Sequence, residues 1–226
     1  MRDVQQALAH RQVASASIPL NDVYAPETAR AAALEILQGV RDFYSPQVNN
    51  VRFNFLLNGL PNLSTDPKVL SLPAYQKSRA LFSAVADLFF KRANAALADF
   101  PRHQLSAANV IKGSLRIQCP GSVGVGWHRD GLAATIPLFG TGTWHLKDGD
   151  SREGLDHPGE VEAGDFADAP QGFGFLNYNR IHSVPEVRDM RILVVLIMSH
   201  DVNHAANEHV DMSRLRDPMV LGLSAE

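Results

Sequence analysis

Hydrophobic periodicity changes character near residue 110, and this change limits the folds open to the chain. Upstream, the spacing is helical. "APETARAAALEILQG" has Pro26 near a helix start, Glu27 in the first turn and Gly39 just past the end. From Ala74 to Phe100, Leu81, Phe82, Val85, Leu88, Phe89, Ala93, Ala96 and Leu97 form one apolar stripe, which predicts a long amphipathic helix that needs a surface to cover. Between the two, "NNVRFNFLLNGLPNL" reads as a short strand and turn. Downstream, the pattern becomes short β-type runs separated by Gly-rich turns: "IKGSLRIQC", "GVGWHRDG", "LAATIPLFG", "GTWHLKD", "GEVEAGDFADAP", "GFGFLNYN", "RIHSVPEV" and "RILVVLIMSH". About eight such runs predict a sandwich or barrel, with Pro137 at an edge or a bulge. The expected organisation is a single domain over 1–226. Residues 1–109 form a mainly helical support region, 110–200 the β core, and 201–226 a helical tail capped by Asn203.

A chain of 226 residues can bury a core without covalent staples. Its single cysteine, Cys119, rules out an intrachain disulfide and fits a reducing, cytoplasmic setting. The net charge of −3 weighs against a nucleic-acid partner. The first twenty residues lack the apolar segment of a secretory leader, and no apolar run reaches the length of a membrane span. The expected partner is a small-molecule substrate; oligomeric state is not readable from the chain.

Within the second β-type run lies "GWHRDG", with His128 and Asp130 one residue apart. On a strand, residues i and i+2 share a face, so an imidazole and a carboxylate can approach one point. With 9 His and 24 acidic residues in the chain, about one His-x-acid is expected by chance, so context decides. The second copy, His209-Val210-Asp211, falls in the expected tail helix. There i and i+2 diverge, making it a decoy. The best third ligand is His182, just ahead of the most apolar strand, and Arg191 follows nine residues later. Two His and one carboxylate with the remaining positions open form the facial triad of non-haem Fe(II) oxygenases. A nearby Arg can hold a remote carboxylate by a bidentate contact.

His128-x-Asp130 followed by His182 and Arg191 resembles the Fe(II)/2-oxoglutarate-dependent dioxygenase superfamily. The resemblance covers about 110–200. It implies a double-stranded β-helix, or jelly roll, with the N-terminal helices packed on one side. It also implies Fe(II) held by His128, Asp130 and His182, with 2-oxoglutarate as co-substrate and O₂ as oxidant. "LRIQCPGSVGVGWHRDG" is also similar to the entry of DNA-alkylation-repair oxygenases, where two polar residues on the first strand face the co-substrate; Arg116 and Gln118 occupy those places. Many family members carry Ser or Thr two residues after the Arg, where this chain has Leu193, so Arg191, Arg116 and Arg188 all stand as anchors for the co-substrate's C5 carboxylate. Asp130 favours hydroxylation over halogenation, because family halogenases have Ala or Gly there. The implied reaction is oxidation, foremost hydroxylation, of an aliphatic C–H in an amino acid or natural-product intermediate. Substrate selection is expected from the N-terminal helices, "NNVRFNFLLNG" and the insert after Leu146.

Each reading has a plainer counterpart. His128, Asp130 and His182 would also suit a hydrogen-bonded pair in a β core, and Arg191 would suit a salt bridge to Asp189 or Glu186. Trp127 and Trp144 are more often core than substrate platform. His200 and His204 lack partners for a zinc site, and the "KDGDSREGLDHPGE" insert lacks the spacing of a Ca²⁺ loop. An Fe(II) oxidase that does not use 2-oxoglutarate, a non-catalytic jelly-roll binding protein and, least favoured by the net charge of −3, a nucleic-acid demethylase remain the rivals.

Overall fold

In "NVRFNFLL" apolar residues alternate with Arg52 and Asn54, as a strand with one face on a core requires. The computed structural model describes residues 14–20, 26–96, 105–122, 124–128, 132–140, 142–147, 166–169, 173–178 and 181–198. It contains β1 (Ala14–Pro19), α1 (Pro26–Phe43), β2 (Asn50–Leu57), β3 (Leu60–Pro61), a one-turn α2 (Pro67–Leu70) and α3 (Pro73–Ala96). Then follow β4 (Val110–Gln118), β5 (Val125–His128), β6 (Leu132–Phe139), β7 (Gly142–Lys147), β8 (Phe166–Ala169), β9 (Phe173–Tyr178), β10 (Ile181–Val184) and β11 (Arg191–Met198).

All pairings are antiparallel, in two sheets. The first has the order β1-β9-β6-β11-β4-β2-β3 and the second β5-β10-β7-β8. β4 pairs with β11, β5 with β10, β6 with β9 and β7 with β8. This is one long hairpin of eight strands rolled so that successive pairs fall in alternate sheets, which is the strand order of a jelly roll. The expected fold class, mainly β with flanking helices, is therefore met.

The helices cover one face of the first sheet. On α3, Tyr75, Phe82, Val85, Phe89 and Ala93 recur at helical spacing and are buried. Tyr75 and Phe82 meet Phe53 and Phe55 of β2, with ring centroids 5.3 to 5.5 Å apart. Leu115 and Ile117 of β4, Ala134, Ile136 and Leu138 of β6, and Ile192, Val194 and Leu196 of β11 belong to the same core. Each large apolar side chain so buried stabilises the fold by about 1.5–3 kcal/mol. β2 turns into β3 through Asn58 (φ 49°) and Gly59 (φ 76°), the Asn-Gly pair suited to a tight hairpin.

Two sequence expectations need correction. The N-terminal region adds a strand that the periodicity did not announce: β1 pairs with β9 at the edge of the first sheet, while β2 and β3, expected as a short strand and turn, extend its other end. Gly39 does not end α1, which runs on to Phe43. A Cβ at Gly39 would lie 3.0 Å from the Ala74 Cβ, so this glycine serves the close approach of α1 and α3. The long helix is observed as Pro73–Ala96. Pro137 lies where the β6–β11 register slips, as the bulge alternative anticipated. The tail from 201 and most of the insert after Lys147 lie outside the described residues, and no described helix is long and apolar enough to cross a membrane.

Candidate functional site

With the helices on one face of the first sheet, alternation assigns the polar residues of β2, β4 and β11 to the other. Three cross-strand rows result. Arg191, Gln118 and Asn50 form the first; Leu193, Arg116 and Arg52 the second; Val195, Ser114 and Asn54 the third. Pro137 and Thr135 of β6 continue the second and third rows. One face of the sheet is thus apolar and packed, while the other carries three arginines, a glutamine and two asparagines.

Arg191, the first residue of β11, is 6% exposed. Its Nε donates to Oε1 of Gln118, itself 7% exposed, at 2.8 Å. Among the described residues the guanidinium meets no carboxylate, and Asp189 and Glu186 are exposed. Burial pushes its pKa below the ordinary arginine value through desolvation. The group nonetheless remains a cation near neutral pH. A buried cation is costly without an anion beside it. With Nε committed to Gln118, the terminal Nη atoms are the fork left for a ligand carboxylate. Arg188 is exposed in the turn before β11, and Arg116 is half-buried, its Nε donating to Ser114 Oγ at 3.3 Å.

His128 ends β5 and His182 is the second residue of β10, and the two are register partners. His182 is 3% exposed. Asp130 lies outside the described residues. Among the described residues no three potential ligands converge.

The loop from β10 to β11 ties the two sheets together at this end. Gly121 N donates to Val187 O at 2.9 Å, and Val187 N donates to Ser122 O at 3.1 Å. A Cβ at Gly124 would lie 2.0 Å from Val184 O, so only glycine admits this approach of the β5 entry to the end of β10. Since β10 ends at Val184 and β11 begins at Arg191, the His182 end of the second sheet and the Arg191 end of the first lie at the same end of the molecule.

The structure therefore brings His128 to His182 and Arg191 to Gln118, and sets Arg116 one row from Arg191. Sequence reasoning missed Arg52 and Asn54 as site-side residues, although the alternation in "NVRFNFLL" marked them as facing away from the core.

No protein-family model matches the chain, and no curated protein matches it. Among solved structures, a prolyl hydroxylase from Trichoplax adhaerens, in complex with a peptide fragment of hypoxia inducible factor, is similar at 14% identity. The match covers 91% of this chain and 90% of that one, with a TM-score of 0.47. A 2OG-Fe(II) oxygenase family oxidoreductase from Burkholderia pseudomallei is similar at 14% identity over 88% and 89% of the two chains, with a TM-score of 0.44.

Proposed function

We propose that this protein is an Fe(II)- and 2-oxoglutarate-dependent oxygenase that oxidises, foremost hydroxylates, an aliphatic C–H of a small molecule. The observation that carries the reading is the buried Arg191 cation, held by Gln118 and lacking a carboxylate among the described residues, at the same end as the His128–His182 pair. His128, Asp130 and His182 would hold the metal: their donor set, two imidazoles and a carboxylate, suits Fe(II) and leaves positions open. Bound iron and 2-oxoglutarate supply the oxidising chemistry with O₂.

The chain's own residues then have defined tasks. Gln118 fixes the plane of the Arg191 guanidinium through Nε, so the Nη fork meets the C5 carboxylate of 2-oxoglutarate in one orientation. Burial of Arg191 strengthens that pairing by excluding water. The register of β5 and β10 sets His128 and His182 opposite each other along the backbone, which supports the reading of both as ligands. Leu193 and Val195, on the inner face of β11 and buried, keep the neighbouring rows dry. Arg116 and Gln118 both lie beside the co-substrate position, with Gln118 the member that touches Arg191.

The test is coupled turnover. Purified protein with Fe(II), ascorbate and a substrate library should convert 2-oxoglutarate to succinate in step with loss of substrate. Substrate oxidation that needs Fe(II) and O₂ but consumes no 2-oxoglutarate would assign the chain to the oxidases instead, and absence of any Fe(II) site would assign it to binding proteins.

A further inference from the structure

The register of β2 against β4 slips in one place. Asn54 pairs with Ser114 and Leu56 with Gly113, so Phe55 is an extra residue and the strand bulges there. The Phe55 ring packs against Tyr75 and Phe82. Leu56 joins the same helix-side core, its Cβ 3.0 Å from where a Cβ at Gly113 would stand. Asn54 is therefore the last β2 residue before the bulge to face away from the helices. It shares its row with Ser114 of β4 and, across Val195, with Thr135 of β6.

The backbone at the bulge is tied down. Asn62 Nδ2 donates to Asn54 O at 3.2 Å, and Asn62 N donates to Phe55 O at 2.8 Å. The Asn54 side chain differs: the residue is 8% exposed, and its Oδ1 is buried with no hydrogen-bond partner among the described residues. Its register partner Ser114, 1% exposed, accepts from Arg116 Nε at 3.3 Å, so the unmet acceptor of this pair is that of Asn54. A buried acceptor without a donor opposes folding, and native proteins keep few of them. A ligand N–H or O–H removes that penalty on binding. A 2-oxoglutarate held by Arg191 is not that ligand. From the Arg191 row to the Asn54 row is four residues along the strands, about 13 Å at roughly 3.3 Å per residue, and Asn54 lies two strands across, beyond the reach of a five-carbon diacid. The donor is neutral, because β2, β4, β6 and β11 contain no Asp or Glu to balance a ligand cation.

We propose that Asn54 contacts the substrate: its Oδ1 accepts a hydrogen bond from a neutral N–H or O–H of the molecule to be oxidised, an amide or an alcohol. The inference rests on the oxygenase reading and narrows its small-molecule substrate to one that carries such a donor. It also makes Asn54 a residue that selects substrate while lowering the stability of the free protein.

Two measurements test it. In urea denaturation of the ligand-free protein, Asn54→Leu and Asn54→Ala both remove the unmet acceptor, one filling its space and one vacating it. At least one of them should leave the midpoint unchanged or raise it. In turnover, Fe(II)-loaded protein receives aliphatic amides beside the matching esters, and aliphatic alcohols beside their methyl ethers, and succinate formed above the substrate-free rate is read. Stimulation should be confined to donor-bearing members, and the amide and alcohol arms identify which donor is used. For an active member, the variant that keeps its midpoint should raise KM about fivefold or more, with KM for 2-oxoglutarate changed by less than about twofold. A midpoint lowered in both variants would show the acceptor to be met within the protein and overturns the inference. Equal stimulation by esters or ethers, stimulation by no donor-bearing member, or an unaltered substrate KM does the same. If wild type shows no Fe(II)-dependent binding of 2-oxoglutarate by calorimetry, the oxygenase reading itself has failed, which is a different result.

Discussion

Arg191 and Gln118 stand opposite each other at the start of the β11–β4 register, and Arg191 Nε donates to Gln118 Oε1 at 2.8 Å. The bond commits one edge of the guanidinium to the protein and leaves the other for a ligand. Replacing Arg191 by Leu removes a charge-assisted contact worth about 1.5–3 kcal/mol, so 2-oxoglutarate affinity should fall roughly 10- to 100-fold. Gln118→Ala should cost less, because the cation stays while its orientation is lost. Calorimetric titration of the metal-loaded variants checks both. Equal affinity in wild type and Arg191→Leu would move the anchor elsewhere.

The two His-x-Asp motifs give a matched comparison. His128→Ala and His182→Ala should each weaken Co(II) or Fe(II) binding by about 10-fold or more, whereas His209→Ala should leave it unchanged. Anaerobic metal titration reads all three. Loss of the site in His209→Ala would show that the motif near the C-terminus is the functional copy.

Gly124 is the tightest point of the end where the sheets are tied. A Cβ there would meet Val184 O at 2.0 Å and Pro185 C at 2.8 Å, both backbone atoms that cannot swing aside. Gly124→Ala should therefore destabilise the protein by about 1–3 kcal/mol, the range for overpacking. It should also lower metal affinity, since Val184 is two residues from His182. Urea denaturation and metal titration on the same sample test this; a variant with unchanged midpoint and affinity would mean the β5 entry moves freely.

Cys119 follows β4 directly and is half-buried. Burial raises its thiol pKa above the ordinary value, with Arg41 lowering it to a lesser degree. A raised pKa leaves less thiolate at a given pH. Alkylation of the folded protein at pH 8 should thus run slower than that of the urea-unfolded chain, and the gap should narrow as pH rises. Equal rates at pH 8 would contradict the stated environment.

How far the sequence carried depended on whether a signal was local. The eight β-type runs after 110 were legible because alternation and Gly-rich turns are written in consecutive residues. The strand "ASASIP" was not, because its small and polar residues carry no β signal of their own and its place comes from pairing with β9. Gly39 looked like a helix end because its role, admitting Ala74, lies on another helix. His128 and His182 were legible as residue types, but their opposition is a fact of register. The same holds for Arg52 and Arg116, whose juxtaposition no local pattern encodes. Of the three arginines that the resemblance left open as anchors, Arg188 is exposed, Arg116 half-buried and Arg191 buried, a difference of depth that spacing does not encode.

The most direct measurement is anaerobic calorimetry of 2-oxoglutarate binding with and without Fe(II), in wild type and in His182→Ala. An oxygenase site predicts binding in wild type that strengthens at least about tenfold when Fe(II) is present, and no such metal effect in His182→Ala. Binding indifferent to the metal, or a metal effect that survives the loss of His182, would contradict it.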